Sequence, residues 1–312
     1  MLRQRVAYFY ELARVCAKWR RRARGRLLGK QPYPHKKSAC VALVLIICLA
    51  NVRLLRGLMH FFDSNGVRIA YVDLAPTTDD IGEPILLIHG FASNHAVNWV
   101  NTMWVRTLNH AGRRVIALDN RGHGQSEKLY DPALYATSLM ARDAVNLLDH
   151  LNIERADVMG YSMGARITAF MAIEHGARIR KAILGGLGDR LVNGAALPGN
   201  IAQAMEAASL DELTDPMQRM FRAFAQQTKS DLRALAACIR GSRQSLTAKG
   251  VGAITCPVLV AVGTNDEVSG NGPALARLLP KGRALDIPGR DHNLAVGDKV
   301  YKHGVLEFLQ EA

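Results

Sequence analysis

The pattern Gly-x-Ser-x-Gly at residues 160–164 limits the possible folds of this chain more than any other short stretch. An apolar, strand-like run leads into it, and a mostly apolar, helix-like segment follows it. A serine at such a junction stands on a sharp turn, where the backbone is strained. Glycine has no Cβ, so Gly160 and Gly164 allow the chain to double back on either side of Ser162. The pattern therefore predicts a serine nucleophile at the end of a strand.

From Met59 onward, the chain alternates short apolar runs with helical patterns. The predicted strands are residues 67–73, 85–89, 114–119, 157–161, 181–184, 258–263 and 284–287. The predicted helices are residues 137–151, 163–175, 273–279 and 299–310. Strands rich in Val, Ile and Leu that alternate with helices are typical of a mostly parallel sheet covered on both faces. The predicted fold class is therefore α/β.

Residues 185–254 interrupt this alternation, because they contain helical patterns and no convincing strand. Asp215 followed by Pro216 predicts the start of a helix. An apolar stripe at helical spacing follows, formed by Met217, Met220, Phe221 and Phe224. Such a stripe packs on one side of a helix. The helical insert, at about residues 188–252, is interpreted either as another core layer or as a lid over a cleft.

A serine hydroxyl is a poor nucleophile at neutral pH, so it needs a base, and the base needs an orienting carboxylate. The expected chain order in this type of fold is serine, then carboxylate, then histidine. Asp266 directly follows one predicted strand, and His292 lies in the loop after the last one. Asp189, which follows another strand, is an alternative carboxylate. We predict Ser162, Asp266 and His292 as the catalytic residues.

Stabilisation of an oxyanion requires N–H donors near the serine. The expected donors are the backbone N–H groups of Phe91, after the predicted strand 85–89, and of Met163, at the start of the helix after the serine. His89 and His123 are interpreted as residues that shape loops. The candidates for the substrate pocket are His95, Trp99, Met217 and Phe221. Each of these four also has an ordinary interpretation, as a loop or core residue.

The positive charge of the chain is concentrated in its first sixty residues. The whole chain has a formal net charge of +13, and residues 1–60 alone account for it. The remainder is balanced, so no nucleic-acid partner is expected. Residues 39–50 are apolar but too few for an ordinary membrane span. Residues 1–58 are therefore interpreted as a membrane anchor, with possible membrane contact through residues 1–55, as a targeting segment, or as residues upstream of a true start near Met59 in a cytoplasmic protein.

The cysteines do not form a metal-binding or disulfide pattern. They stand at positions 16, 40, 48, 238 and 256, without a Cys-x-x-Cys pair. We therefore expect a main domain, residues 59–312, without disulfides, metal or cofactor. Cys256 opens an apolar run and is expected to be buried and inert.

Taken together, the motifs resemble those of the α/β-hydrolase superfamily. The residues that carry the resemblance are 89–91, 119–126, 160–164, 263–266 and 289–292. Within that superfamily the chain is similar to small serine esterases and cofactor-free haloperoxidase-like hydrolases, whose serine turn often reads Ser-Met-Gly. The resemblance covers about residues 60–312. It implies an eight-stranded, mostly parallel sheet flanked by helices, a small helical lid after the sixth strand, and a Ser-Asp-His triad.

The predicted function is that of a serine hydrolase acting on carboxylic esters with an apolar acyl or alkyl group, through an acyl-enzyme. The same residues would also serve for thioesters, lactones, amides, C–C bonds or perhydrolysis. A non-enzymatic binding module is a third interpretation. The motifs do not distinguish between these bonds, because the contacts that select a substrate come from the insert and the loops. The expected partner is a small ester-like molecule.

Overall fold

Eight strands form a single sheet in the order β1-β2-β4-β3-β5-β6-β7-β8. The computed structural model describes residues 59–194 and 197–311. The strands are β1 Met59–Ser64, β2 Val67–Leu74, β3 Ile85–Ile88, β4 Val115–Leu118, β5 Ala156–Tyr161, β6 Ile179–Gly185, β7 Val258–Gly263 and β8 Gly282–Ile287. β2 is antiparallel to both of its neighbours, and the other pairs are parallel. The predicted α/β class with an eight-stranded, mostly parallel sheet is confirmed.

Helices cover both faces of this sheet. They are α1 Trp104–His110, α2 Thr137–His150, α3 Met163–Glu174, α4 Arg190–Asn193, α5 Asn200–Glu206, α6 Pro216–Gln227, α7 Leu232–Gly241, α8 Ala248–Val251, α9 Gly272–Leu278 and α10 Lys299–Gln310. Side chains of a strand alternate between faces. Leu86 and Ile88 of β3 therefore belong to the core cluster that contains residues of α2, α3 and α9, whereas Ile85 and Leu87 belong to the cluster that contains residues of α1 and α10.

The first strand, β1, is absent from the sequence-based prediction. It lies at the edge of the sheet, and only Phe62 and Ser64 of its six residues are buried. A half-exposed edge strand lacks the continuous apolar run that marks the central strands. The signal that would have found it is Asn65-Gly66, where both residues have positive φ and close a two-residue hairpin to β2.

Between β6 and β7 the chain forms the helices α4 to α8, called here the insert, residues 190–251. Asp215 caps α6 as predicted, because its side chain accepts a hydrogen bond from the Gln218 N–H at 2.8 Å. Phe221 of α6 packs against Phe91, with their ring centroids 6.0 Å apart. The Thr228 hydroxyl donates to the Ala92 carbonyl at 2.8 Å. The insert therefore rests on the loop that follows β3, and its role as a lid stays a prediction.

The interpretations of residues 1–58 lie outside the described residues. Within the described ranges, each helix is too short or too polar to cross a membrane. The same part of the chain contains no group of three metal-ligating side chains. Cys238 and Cys256 are free and buried there. Burial raises the pKa of the Cys256 thiol to about 11, which fits the expected inert side chain.

Candidate active site

Ser162 occupies a strained turn between β5 and α3. Its backbone angles are φ 55° and ψ −114°, and α3 begins at the next residue. A residue other than glycine rarely adopts positive φ, and holding it there costs about 1–3 kcal/mol. The surrounding structure must therefore fix this conformation, which presents the hydroxyl at the carboxyl end of the sheet. The strained turn predicted from the sequence is found.

The two glycines of the motif are required by close backbone contacts. A Cβ on Gly160 would lie 2.1 Å from the Gly164 carbonyl oxygen. A Cβ on Gly164 would lie 2.0 Å from the Ile88 carbonyl oxygen. Both are backbone atoms that cannot move aside as the end of a flexible side chain would. The predicted reason for the glycines is therefore confirmed.

Replacing Gly164 with alanine is expected to destabilise the protein by about 1–3 kcal/mol or more, because the new methyl group would push β3 and α3 apart. The matched control is Gly176→Ala, since a Cβ there meets no atom within 4 Å. That control should change stability by less than about 0.5 kcal/mol. Urea unfolding followed by circular dichroism measures both. Equal midpoints for the two variants would contradict the packing argument.

The structure brings the three predicted catalytic side chains together at the carboxyl end of the sheet. The His292 Nε2 lies 3.0 Å from the Ser162 Oγ. The His292 Nδ1 lies 2.8 Å from the Asp266 Oδ2. Both His292 and Asp266 are buried. A neutral imidazole with its proton on Nδ1 donates to Asp266 and leaves Nε2 free to accept the serine proton.

Asp266 is held by several donors besides His292. Its Oδ1 accepts hydrogen bonds from the Val268 and Ser269 N–H groups, at 2.9 and 3.0 Å. Its Oδ2 accepts from the Ser269 hydroxyl at 2.6 Å. Burial raises the pKa of Asp266, but the bonds from His292 and Ser269 outweigh burial and hold that pKa below its usual range. The carboxylate therefore stays ionised at neutral pH.

The alternative carboxylate, Asp189, is directed elsewhere. Its Oδ1 accepts a hydrogen bond from the Asn271 N–H at 2.7 Å. Its Oδ2 lies 3.3 Å from the Asn193 amide nitrogen, which donates to it. Asp189 therefore helps to join α4 to the segment before α9, and Asp266 is the carboxylate beside His292.

Two contacts around His292 were missed by the sequence analysis. The Tyr161 hydroxyl donates to the His292 carbonyl oxygen at 2.6 Å, and the two rings lie 5.5 Å apart. Burial raises the pKa of Tyr161 well above its usual value, so the phenol remains a donor. The Ser269 hydroxyl also lies 3.3 Å from the His292 Nδ1. The spacing of Ser269 after Asp266 is that of a turn in which an Asp side chain binds the following N–H groups, and this spacing is the signal that was overlooked.

The loop after β3 is shaped by His89, as predicted. The His89 Nε2 accepts a hydrogen bond from the Asn120 N–H at 3.0 Å, and its Nδ1 lies 2.8 Å from the Gly90 carbonyl oxygen. Burial lowers the pKa of His89 to about 4, so the imidazole is neutral and donates through Nδ1. The Asn98 side-chain oxygen accepts a hydrogen bond from the Gly90 N–H at 3.1 Å. These bonds fix the backbone directly before Phe91.

Two of the predicted pocket residues do not line the site. The His95 Nδ1 lies 2.8 Å from the buried Asp119 carboxylate, and the His95 N–H donates to the same oxygen. Trp99 is fully buried and packs against Trp104, with ring centroids 6.5 Å apart. Trp99 lies in a helical turn, Ala96–Val100, and His95 directly precedes that turn. The pocket interpretation was wrong for His95 and Trp99.

Two cavities meet at Ser162 and Phe91. The smaller, of about 70 Å³, is also lined by Met163, Arg166 and Met217. The larger, of about 390 Å³, is lined by His292, by apolar side chains and by several polar side chains, among them Asn98 and Gln227. Its apolar lining consists of Val97, Met220, Phe221, Phe224 and Val296. Met217 and Phe221 therefore lie beside the serine, while their role toward a substrate stays a prediction.

Comparison with known proteins extends these observations. A family model described as alpha/beta hydrolase fold matches residues 83–198, which include Ser162 and end before Asp266 and His292. The 2-hydroxymuconate semialdehyde hydrolase of Pseudomonas sp. (strain CF600) is 39% identical over 105 residues, which is 34% of this chain and 36% of that protein. This chain thus aligns with only about a third of that relative. A non-heme chloroperoxidase of Kitasatospora aureofaciens is 27% identical over 278 residues, 79% of this chain and 98% of that one.

Solved structures resemble this chain over most of its length. The enol-lactonase from Burkholderia xenovorans LB400 superimposes with a TM-score of 0.64 at 20% sequence identity. The superposition covers 81% of this chain and 100% of the enol-lactonase. At this identity the comparison shows a shared fold.

Proposed function

The chain has the α/β-hydrolase fold and is similar in sequence to enzymes of that superfamily, and from this premise we propose that it is a serine hydrolase of carboxylic esters. The observation that carries the proposal is the unbroken chain of contacts from the Ser162 Oγ through His292 to Asp266, at 3.0 and 2.8 Å. The strained turn at Ser162 supports it, because strain of this kind is concentrated at functional sites.

In the proposed reaction, the Ser162 Oγ attacks the ester carbonyl carbon while the His292 Nε2 takes the serine proton. The C–O bond to the alcohol then breaks, and His292 gives that proton to the departing oxygen. A water molecule, deprotonated by His292, attacks the acyl-enzyme and releases the acid and Ser162. Asp266 holds the imidazole in the required orientation and stabilises its positive charge.

The negative charge that develops on the carbonyl oxygen needs donors that are already in place. We assign this role to the N–H groups of Phe91 and Met163. Met163 is the first residue of α3, and the first N–H groups of a helix have no partner within the helix. Phe91 follows the backbone that His89 and Asn98 hold in place. Phe91 and Met163 both line the smaller cavity at Ser162.

The insert is proposed to act as a lid over this site. Met217, Phe221 and Phe224 of α6 line the two cavities. An apolar wall excludes water and strengthens the electrostatic interactions within the site. The same wall suits an apolar acyl or alkyl group, which is the substrate class expected from the apolar stripe.

Perhydrolysis is a second candidate, favoured by the similarity to a non-heme chloroperoxidase over 98% of that protein. Hydrogen peroxide would replace water in the second step, attack the acyl-enzyme and leave as a peracid. The two reactions share the first step. Product analysis with and without peroxide separates them.

A fluorophosphonate probe should label the wild-type protein at Ser162, because such probes require an activated serine. The label should be absent from Ser162→Ala and retained in Ser138→Ala, which removes a partly exposed hydroxyl on α2. Mass spectrometry of the labelled peptide checks the position. Labelling that persists in Ser162→Ala would contradict the proposed nucleophile.

A further inference from the structure

Arg166 is a buried cation in the wall of the smaller cavity. It is the fourth residue of α3, and only 4% of it is exposed. Its guanidinium donates to the carbonyl oxygens of Gln244 and Arg190, at 3.3 and 3.2 Å. Among the described residues no carboxylate pairs with it. A guanidinium has five N–H donors, so the protein leaves most of this one without an acceptor.

Two other buried arginines, Arg113 and Arg121, pair with carboxylates of the protein. Arg113 pairs with Asp157 and Glu83, at 2.5 and 2.9 Å. Arg121 makes two bonds to the Asp143 carboxylate, at 2.7 and 2.8 Å. Each of these two guanidinium groups therefore has a carboxylate partner, which Arg166 lacks.

Arg222, like Arg166, pairs with no carboxylate among the described residues. Its Nη1 donates to three carbonyl oxygens at the end of α5, which belong to Ala204, Met205 and Ala207, and its Nε has no hydrogen-bond partner. Arg166 differs from Arg222 in its position, because Arg166 lines the cavity beside the proposed nucleophile. Burial lowers the pKa of the Arg166 guanidinium. A buried charge without a partner is costly, so an anion brought in by a ligand would be stabilised there.

The positions of the cavities indicate which part of an ester would carry this anion. His292 must deliver a proton to the departing alcohol, and it lines the larger cavity, which is mainly apolar. The alcohol therefore belongs in the larger cavity. The acyl group then occupies the smaller cavity. Arg166 lines this cavity, and the exposed Arg190, which also lines it, adds a second positive charge.

We propose that the substrate is a monoester of a short dicarboxylic acid, whose free carboxylate is bound by Arg166 in the smaller cavity while its apolar alcohol occupies the larger one. This inference rests on the proposed serine hydrolase. The cavity of about 70 Å³ favours an acyl chain of only a few carbon atoms. A planar guanidinium can bind a planar carboxylate through two parallel hydrogen bonds, so Arg166 would select a carboxylate by its shape as well as by its charge.

The test measures binding in the Ser162→Ala protein, so that it does not depend on turnover. The probes are benzyl hydrogen succinate and its neutral analogue benzyl succinamate, which have the same shape and differ in charge. By calorimetry, the anionic ester should bind about 10–100-fold more tightly, as expected for hydrogen bonds to a charged group. Adding Arg166→Gln should remove the difference. Adding Arg277→Gln, an exposed arginine on α9, should leave it unchanged.

Equal binding of the two esters by Ser162→Ala, or a preference that survives Arg166→Gln, would overturn the inference and leave fluorophosphonate labelling of Ser162 as support for the hydrolase. A preference for the anion together with an unlabelled serine would support the binding site and reject the hydrolase. If Arg166→Gln does not fold, Arg166→Lys keeps the charge without the planar fork. That variant should retain part of the preference, and an undiminished preference would overturn the role of the fork.

Discussion

Replacing Ser162 with alanine is expected to lower kcat for ester hydrolysis by about a million-fold, the scale seen when a triad nucleophile is removed. The reason is that the acyl-enzyme can no longer form, since no other hydroxyl among the described residues lies within hydrogen-bond distance of the His292 Nε2. Stability should change little, because alanine fits the same strained turn. Steady-state hydrolysis of p-nitrophenyl esters measures the effect.

A double-variant comparison tests whether the losses of kcat in Ser162→Ala and His292→Ala are non-additive. His292→Ala should cost about as much as Ser162→Ala, and the double variant should be no slower than either, because the two residues act as one unit. Losses that multiply in the double variant would show independent roles. They would contradict the proposed proton transfer between the two side chains.

Replacing Asp266 with asparagine is expected to lower kcat by about 10⁴-fold with little change in KM. The asparagine amide is neutral, so it does not stabilise the positive charge that forms on the His292 ring. It also fails to hold the imidazole in the tautomer with the proton on Nδ1. The matched control is Asp189→Asn, because that carboxylate binds Asn271 and lies apart from His292. A comparable loss of kcat in Asp189→Asn would contradict the assignment.

Asp266 also predicts how stability depends on pH. Because its pKa is lowered in the folded protein, the ionised carboxylate contributes stability above the unfolded pKa of about 4. That contribution is lost as the pH falls through the lowered folded value. The wild type should therefore lose more unfolding free energy on acidification from pH 7 than Asp266→Asn does, as measured by urea unfolding. Parallel losses in the two proteins would contradict the expected linkage.

The catalytic candidates could be predicted because their signals are local. Gly160 and Gly164 belong to one five-residue pattern around the serine, and Asp266 and His292 lie in the loops that follow β7 and β8. In parallel strands the carboxyl ends share one edge of the sheet, so the order of elements already placed these side chains together. The same reasoning does not reach β1, whose half-exposed sequence lacks a buried strand's apolar run.

The supporting residues could not be predicted because their roles depend on distant contacts. Tyr161 binds the backbone of His292, which is 131 residues away in the chain. His95 was wrongly predicted to line the pocket, because no sequence pattern near it indicates its contact with Asp119. Arg166 escaped notice for a similar reason. It lacks a carboxylate partner and lines the cavity beside Ser162, and this combination is visible only in three dimensions.

The seating of the insert on the loop after β3 has a mechanical consequence. Phe221 packs on Phe91, and the Thr228 hydroxyl binds the adjacent Ala92 carbonyl. Any outward swing of α6 must break these two attachments, and so it also releases the residue whose amide is proposed to receive the developing charge. If α6 opens as the proposed lid, substrate entry and the position of the Phe91 amide are therefore coupled through these two contacts.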